Sequence, residues 1–392
     1  MESYKRRKKV AVLLPWLKMG GTNKIALNFI SELSEYCDVT LILSYDTGEL
    51  REQMPPHTEL IIDRMKDFKE ILKEDILRCR PFFLGSDVSY YMTIRSGRDS
   101  IDNYRYIVDR NDAVTEQSFD CAVSYHGQSP ERLLNLLYRI HAKKKVVWIH
   151  GEMSFPEDKC RRLCKYYDRI DHFFFVSRPT LESFFRVIPF DRDKGTVYYN
   201  PVDKEDILRK AEEKPEIPFE KETFNILTVG RISPEKGQEM IPVIVHNLQK
   251  RGRRICWYLI GDGADRKRVE ELCRQYGAEG SVHFLGTRMN PYSFMKACDL
   301  YVQPSYTEGY STTICEAAIL GKAIIGTIPS GGIRDQIEDG VDGMVVEASP
   351  PGLTEAIDGL LLDEERRHRF EKAIIRKNFE GKGEIDKFLA IL

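Results

Sequence analysis

This 392-residue chain has no apolar run long enough to span a bilayer; its longest, such as VAVLLPWL at 10–17, is strand length, well short of the roughly 20 residues a spanning helix needs. It has no dominant charge. Lys and Arg number 59 against 61 Asp and Glu, and the net charge of −2 gives no global field favouring nucleic acid. It has no C-x-x-C. Its nine cysteines are scattered, and Cys160 and Cys164, four apart, have no second pair at metal-ligand spacing. That pattern reads as buried free thiols in a reducing compartment, not a zinc site. No small-residue cleavage site follows the basic opening MESYKRRKKV, so no signal peptide is expected. There is no G-x-x-x-x-G-K-[ST], which excludes a P-loop. Neither Gly20–Gly21 nor GDGADR (261–266) has the third glycine of a dinucleotide fingerprint, so a nicotinamide dehydrogenase is unsupported.

What is present is an alternation. Apolar runs at 9–15, 38–44, 120–127, 144–151, 172–177 and 195–201 are separated mostly by helical patterns. Continuous apolar strands alternating with helices predict a doubly wound parallel sheet. After a stretch rich in Pro, Lys and Glu (200–223) the alternation restarts, with runs at 224–230, 256–261, 282–286, 299–305, 322–327 and 343–347. The chain therefore divides into an N-terminal α/β domain over 1–200 and a second over 201–374. The tail 375–392 is a glycine-broken helix with no sequence signal for which domain it joins. In open parallel sheets ligands bind beyond the C-terminal strand ends, so the post-strand loops are the places to look.

The most informative loop is TEGYSTTICEAAILGK (307–322). It predicts a strand ending near Pro304 and a helix starting near Ser311, with Ser311, Thr312 and Thr313 where N-caps belong. Free first-turn amides and the helix dipole suit a phosphate. Glu308 and Glu316 bracket that position, and carboxylates bind the paired hydroxyls of sugar rings. One Glu per sugar with phosphates between them describes a nucleotide-sugar; a surface helix with two solvated glutamates is the plain alternative. VGRISPEKGQ (229–238) puts Arg231 and Lys236 on one post-strand loop, suited to a diphosphate or else merely solvated. WIHGE (148–152) places His150 at a strand end, able to meet a substrate hydroxyl or to serve as a satisfied structural histidine. DRD (191–193) has the form of a metal-binding D-x-D but sits in a polar turn, and reads as a turn.

Together GRISPEKG, the GDG turn, VHFLG, ACDLYVQPS and EGYSTTICEAAILGKAIIG resemble the retaining glycosyltransferases of family 4 (glycosyl transferases group 1), over about residues 224–347. The first domain matches more weakly, through the GG loop, WIHGE and the VS at 176–177. The resemblance implies the GT-B fold, two Rossmann-like domains facing each other across a cleft, with the C-terminal helix crossing back to the first domain.

It also implies an enzyme that moves a hexosyl group from a nucleoside-diphosphate sugar, a UDP-sugar being expected, to an acceptor hydroxyl with retention and without a metal or other cofactor. Arg231 and Lys236 would hold the diphosphate. Glu308 would contact the transferred sugar, with the amides of Gly309, Tyr310, Ser311 and Thr312 on sugar and phosphate. Glu316 would bind the ribose, His150 would contact the sugar or reacting centre, Gly21 would let the first domain approach the phosphates, and Arg288 would lie near the base.

The expected setting is bacterial capsule, exopolysaccharide or teichoic-type synthesis in the cytoplasm, with a lipid-linked or glycan acceptor. Lys5 to Lys9 would then either touch the anionic inner membrane face or act as a solubilising flank. The segment 62–110 has the look of an acceptor-side insertion. A nucleotide-sugar epimerase, a sugar phosphorylase and a non-catalytic nucleotide-sugar sensor are the competing readings.

Overall fold

The apolar runs form parallel strands because both faces of each sheet are covered by helices. The computed structural model describes residues 6–66, 68–77, 101–152, 157–189, 191–328, 331–381 and 383–392. The chain folds as two compact units. One comprises the chain to Val176, Thr180–Tyr198 and Gly383–Leu392; the other comprises Ser177–Pro179 and Tyr199–Lys382.

In the first unit the elements run β1 (Lys9–Leu14), α1 (Gly21–Leu33), β2 (Asp38–Leu43), β3 (Glu59–Ile62), α2 (Phe68–Leu77), α3 (Ile101–Asp109), β4 (Ser118–Ser124), α4 (Pro130–Tyr138), β5 (His141–Ile149), α5 (Glu157–Tyr167), β6 (His172–Phe175), α6 (Arg178–Val187) and β7 (Gly195–Val197). The strands are all parallel, in the order β3-β2-β1-β4-β5-β6-β7. The order reverses between β1 and β4, which opens a crevice at their C-terminal ends. The run at 195–201 yields only the three-residue β7. β3 was not foreseen, since ELII is too short and too mixed to stand out from its surroundings. Residues 78–100 of the 62–110 segment lie outside the described residues.

In the second unit, α7 (Lys204–Ala211) precedes β8 (Phe224–Val229), α8 (Ile241–Lys250), β9 (Ile255–Ile260), α9 (Arg266–Tyr276), β10 (Val282–Gly286), α10 (Tyr292–Ala297), β11 (Leu300–Gln303), α11 (Thr312–Ile319), β12 (Ile324–Ile328), α12 (Gly331–Gln336), β13 (Met344–Glu347), α13 (Pro350–Leu362) and α14 (Glu364–Ile374). The parallel order is β10-β9-β8-β11-β12-β13, with the switch between β8 and β11. Helix α7 lies inside the stretch read as linker. Asp203 caps it by accepting the Asp206 amide, and Ile207 and Ala211 are its buried face. Three apolar residues among five charged ones, with Leu208 exposed, are too few to betray a helix by periodicity. Two parallel α/β units of this kind are the GT-B class of fold.

The last helix, α15 (Glu384–Leu389), belongs to the first unit. Its Phe388 is fully buried, with ring centroids 5.1 Å from Phe29 and 5.8 Å from Phe174. At the other end of the chain, Arg7 is spent on Asp38 and on the carbonyls of Ser34 and Cys37, so part of the basic run pins β2. Among the described residues no helix is long and apolar enough to cross a membrane.

Phe388→Ala should destabilise the first unit by about 3–5 kcal/mol, as removal of a buried aromatic does. Urea unfolding of the variant measures this, and a shift below about 1 kcal/mol would count against a core role for the tail.

Candidate functional site

The switch point of the second unit brings together two of the loops singled out above. The loop after β8 carries Arg231 and Lys236, and the loop after β11 carries Glu308. Because β8 and β11 are neighbours in the sheet, residues 72 apart in sequence meet: Lys236 Nζ donates to Glu308 Oε1 at 2.6 Å. Glu308 is buried, and the same oxygen also accepts from Ser305 Oγ at 2.8 Å and Gln303 Nε2 at 3.0 Å.

The approach depends on backbone. The amides of Tyr306 and Thr307 both donate to the Glu235 carbonyl, sewing one loop to the other. Gly237 ends the Pro234–Lys236 turn at φ 67°, and a Cβ there would sit 2.2 Å from the Pro304 carbonyl oxygen. Only glycine both adopts that conformation and permits that approach. On the other side a Cβ on Gly332 would lie 1.9 Å from the Gly309 carbonyl oxygen, so α12 presses directly on the Glu308–Gly309 turn.

Gln303, at the end of β11, organises the rest. Its Oε1 accepts from Tyr301 Oη at 2.8 Å and Thr313 Oγ1 at 3.2 Å, while its Nε2 donates to Ser305 and Glu308. Thr313 in turn pairs with Ser311 Oγ at 3.1 Å. Helix α11 begins at Thr312 with Ser311 as N-cap residue, where the hydroxyl run predicts a helix start. The capping differs from that expectation, because the Ser311 hydroxyl turns to Thr313 and not to a helix amide. The Ser311 amide is also taken, by Gln336 Oε1 at 2.9 Å, while Gln336 Nε2 returns to the Ser311 carbonyl at 2.6 Å. Ser311 is thereby corrected from a free amide donor to a residue held by Gln336. The amides of Thr312, Thr313 and Ile314 open the helix without acceptors inside it.

The other expected residues divide. Glu316 is buried within α11 and accepts from Tyr292 Oη at 3.1 Å. Gly309 and Tyr310 are half-buried, and the Tyr310 ring turns onto Tyr199 at 5.2 Å. Burial pushes its phenol well above the usual range, so the hydroxyl stays protonated. Arg231 is exposed beside Lys236. Arg288 follows edge strand β10, separated from β8 by β9, and pairs with Glu216 at 2.8 Å; the topology does not bring it to the Lys236–Glu308 pair.

In the first unit Gly21 opens α1 after the β1 loop, and the space a Cβ on Gly20 would enter is open. His150 follows β5, and its Nε2 lies 2.6 Å from the Tyr125 carbonyl. A carbonyl only accepts, so Nε2 carries the proton and Nδ1 keeps a lone pair in the neutral ring. Burial, and then the neighbouring His126, push His150 down to about 3. His126, directly after β4, was passed over because SYHG resembles any strand exit. Its ring centroid is 5.8 Å from that of His150 and its buried Nε2 has no partner among the described residues. Burial, and then Arg132, push it down to about 4. Gln303, Ser305, Gln336 and Gly332 were likewise missed; spacing gives no sign of a glutamine that works through both ends of its amide. DRD is a turn, Asp191 Oδ1 accepting from the Asp193 amide at 3.0 Å.

The histidines set a pH dependence. Unfolded, each takes a proton below about 6.5; folded, each stays neutral until far lower pH. The unfolded state therefore binds more protons between those limits, and stability falls as pH falls. The Tm of the protein should drop from pH 6.5 to 5, and His126→Gln should flatten that slope; an unchanged slope would refute the burial of a neutral His126.

Comparison with known proteins places the second unit. The sequence profile of the family described as glycosyl transferases group 1 matches residues 209–377. The chain is 22% identical over 57% of its length to an uncharacterised glycosyltransferase of Methanocaldococcus jannaschii, covering 59% of that protein. It is 25% identical over 50% of its length, and 52% of the relative's, to an N-acetylgalactosaminyltransferase of Campylobacter jejuni that acts on N-acetylgalactosamine-N,N'-diacetylbacillosaminyl-diphospho-undecaprenol. The matches thus span between half and three-fifths of these relatives' length. In fold the whole chain is similar to Anabaena HepE solved with UDP-glucose (TM-score 0.71, 17% identity, 98% of this chain and 100% of that one). It is also similar to an S. aureus TarM variant solved with fondaparinux, alpha-GlcNAc-glycerol and UDP (TM-score 0.69, 14% identity, 98% and 99%). The second unit, built on the β8–β11 switch point, is thus the part of the chain that matches the glycosyl transferases group 1 profile.

Proposed function

We propose that the chain is a retaining, metal-independent glycosyltransferase that moves a hexosyl group from a nucleoside-diphosphate sugar to an acceptor hydroxyl. The observation that carries the reading is the pair of half-buried Lys236 and buried Glu308 at the β8–β11 switch point, beside the opening of α11. An ammonium has three donors, so Lys236 can keep Glu308 in place and still donate to a phosphate oxygen. With Arg231 and the free amides of Thr312 and Thr313 it would balance charge growing on the departing diphosphate, the task a metal ion performs elsewhere. Glu308, held through Oε1, would receive the hydroxyls of the transferred sugar, and Glu316 those of the ribose. His150, neutral, would accept a sugar hydroxyl at Nδ1 and His126 stands next to it; Gly21 would leave room for phosphate. Arg288 keeps only a loose assignment near the base.

A UDP-sugar is the donor we favour, since HepE and TarM were solved with UDP or UDP-glucose. The lipid-linked substrate named for the C. jejuni relative supports a lipid-linked or glycan acceptor and a place in bacterial surface-polysaccharide synthesis, in the cytoplasm at the inner membrane face.

Two outcomes test this. Glu308→Gln keeps an acceptor for Lys236, Gln303 and Ser305, so the variant should melt within a few degrees of the parent yet lose about 10²-fold or more of acceptor-dependent nucleoside-diphosphate release; undiminished turnover would sink the site. Transfer should also continue in excess chelator, whereas strict dependence on a divalent ion would overturn the metal-independent chemistry.

A further inference from the structure

A second constellation lies at the other end of the same sheet. β9 and β10 are paired in parallel with Val282 opposite Trp257 and His283 opposite Tyr258. Alternation puts Cys256, Tyr258 and His283 on one face. Cys256 and His283 are each the second residue of their strand, so they stand near the N-terminal strand ends, opposite the loops that carry Lys236 and Glu308. The segment leading into β8 folds over this face. The Glu220 amide donates to Tyr258 Oη at 2.9 Å, and the Glu220 carbonyl accepts from Thr223 Oγ1 at 3.0 Å and Asn225 Nδ2 at 3.2 Å.

As a result a carboxylate oxygen of Glu220, the Sγ of Cys256 and a ring nitrogen of His283 all lie within 4.8 Å of one another. Ligand atoms around a tetrahedral zinc ion are about 3.5 Å apart, given bonds of about 2.0–2.3 Å, so small side-chain rotations would close the set. Two further observations point to a ligand. The Nε2 of His283 is buried without a hydrogen-bond partner among the described residues, an arrangement that is costly if nothing repays it. The His283 ring is also held in plane, stacked on Tyr258 at 4.9 Å and 25°, with Tyr258 stacked on Phe219 at 4.1 Å. A ring held by this stacking is oriented in advance. Cys256 is 3% exposed, and burial raises its thiol, so without a cation it is a neutral, inert group.

We infer that Glu220, Cys256 and His283 form a site for a borderline-soft divalent cation of the zinc class, with water as the fourth ligand. One sulfur, one imidazole nitrogen and one carboxylate suit zinc and are unsuited to magnesium or calcium, which take oxygen donors. Binding exchanges the Cys256 proton, released to solvent, for a metal–thiolate bond. The bound ion clamps the segment before β8 to the β9–β10 edge. The inference is independent of the reading of the switch-point site, which requires no metal.

The test is Co(II) titration of the full-length protein after removal of metal. The expected result is one equivalent of Co(II) bound, with a thiolate-to-cobalt charge-transfer band that Zn(II) displaces. The band should vanish in Cys256→Ser and shift to at least tenfold weaker affinity in His283→Gln, while Cys273→Ser, a control for the other thiols, keeps it. Zn(II) should raise the Tm of the parent and not of Cys256→Ser, with transfer activity unaffected. Absence of the band in the parent, or its persistence in Cys256→Ser, overturns the site; if Cys256→Ser does not fold, undiminished affinity in His283→Gln does so instead.

Discussion

One carboxylate oxygen, Glu308 Oε1, accepts three donors from three directions: Lys236 across the sheet switch, Gln303 from the strand end and Ser305 from the turn. A buried charge is costly unless it is fully bonded, and loss of one partner of such a pair typically costs about 3–5 kcal/mol. The cost fixes the geometry. The loops after β8 and β11 can take few other positions without stranding that charge, and the sewing of Tyr306 and Thr307 to Glu235 follows the same line. The pair is thus a registration device for two loops.

From that oxygen the order spreads through Gln303 to Thr313, Ser311 and Gln336. Each of these is a neutral group hydrogen-bonded within the network, and Gln303, Ser311 and Gln336 are buried, so the start of α11 is set largely by side chains out of solvent. Such fully satisfied polar networks are rigid. Rigidity here means that charge appearing beside the helix opening would meet dipoles already in place, with little reorganisation.

Much of this was legible in the sequence. Apolar strand runs alternating with helices give both sheets, and the placement of Lys236 and Glu308 after strands marks two loops that the fold brings together. What was not legible has physical causes. Gln303, Ser305 and Gln336 act through hydrogen bonds set by tertiary approach, and an isolated polar residue at a strand end looks the same whether or not it makes them. His126 differs from an ordinary loop histidine only in being buried beside a second imidazole. Helix α7 is short and mostly charged, and its two buried apolar residues, Ile207 and Ala211, matter because α10 lies against the helix. Cys256 and His283 carry no spacing signal, since the sheet and not the chain brings them together.

The position of α15 has a consequence for how the protein is made. The aromatic cluster of the first unit, around Phe29, Trp148, Phe174 and Tyr198, is completed by Phe388, which emerges from the ribosome only after the entire second unit has been synthesised. The second unit, contiguous apart from Ser177–Pro179, has nearly everything it needs earlier. Order of synthesis and order of maturation are therefore reversed: the half of the protein translated first is the half whose aromatic cluster is completed last, the place of Phe388 beside Phe29 on α1 staying unfilled until then.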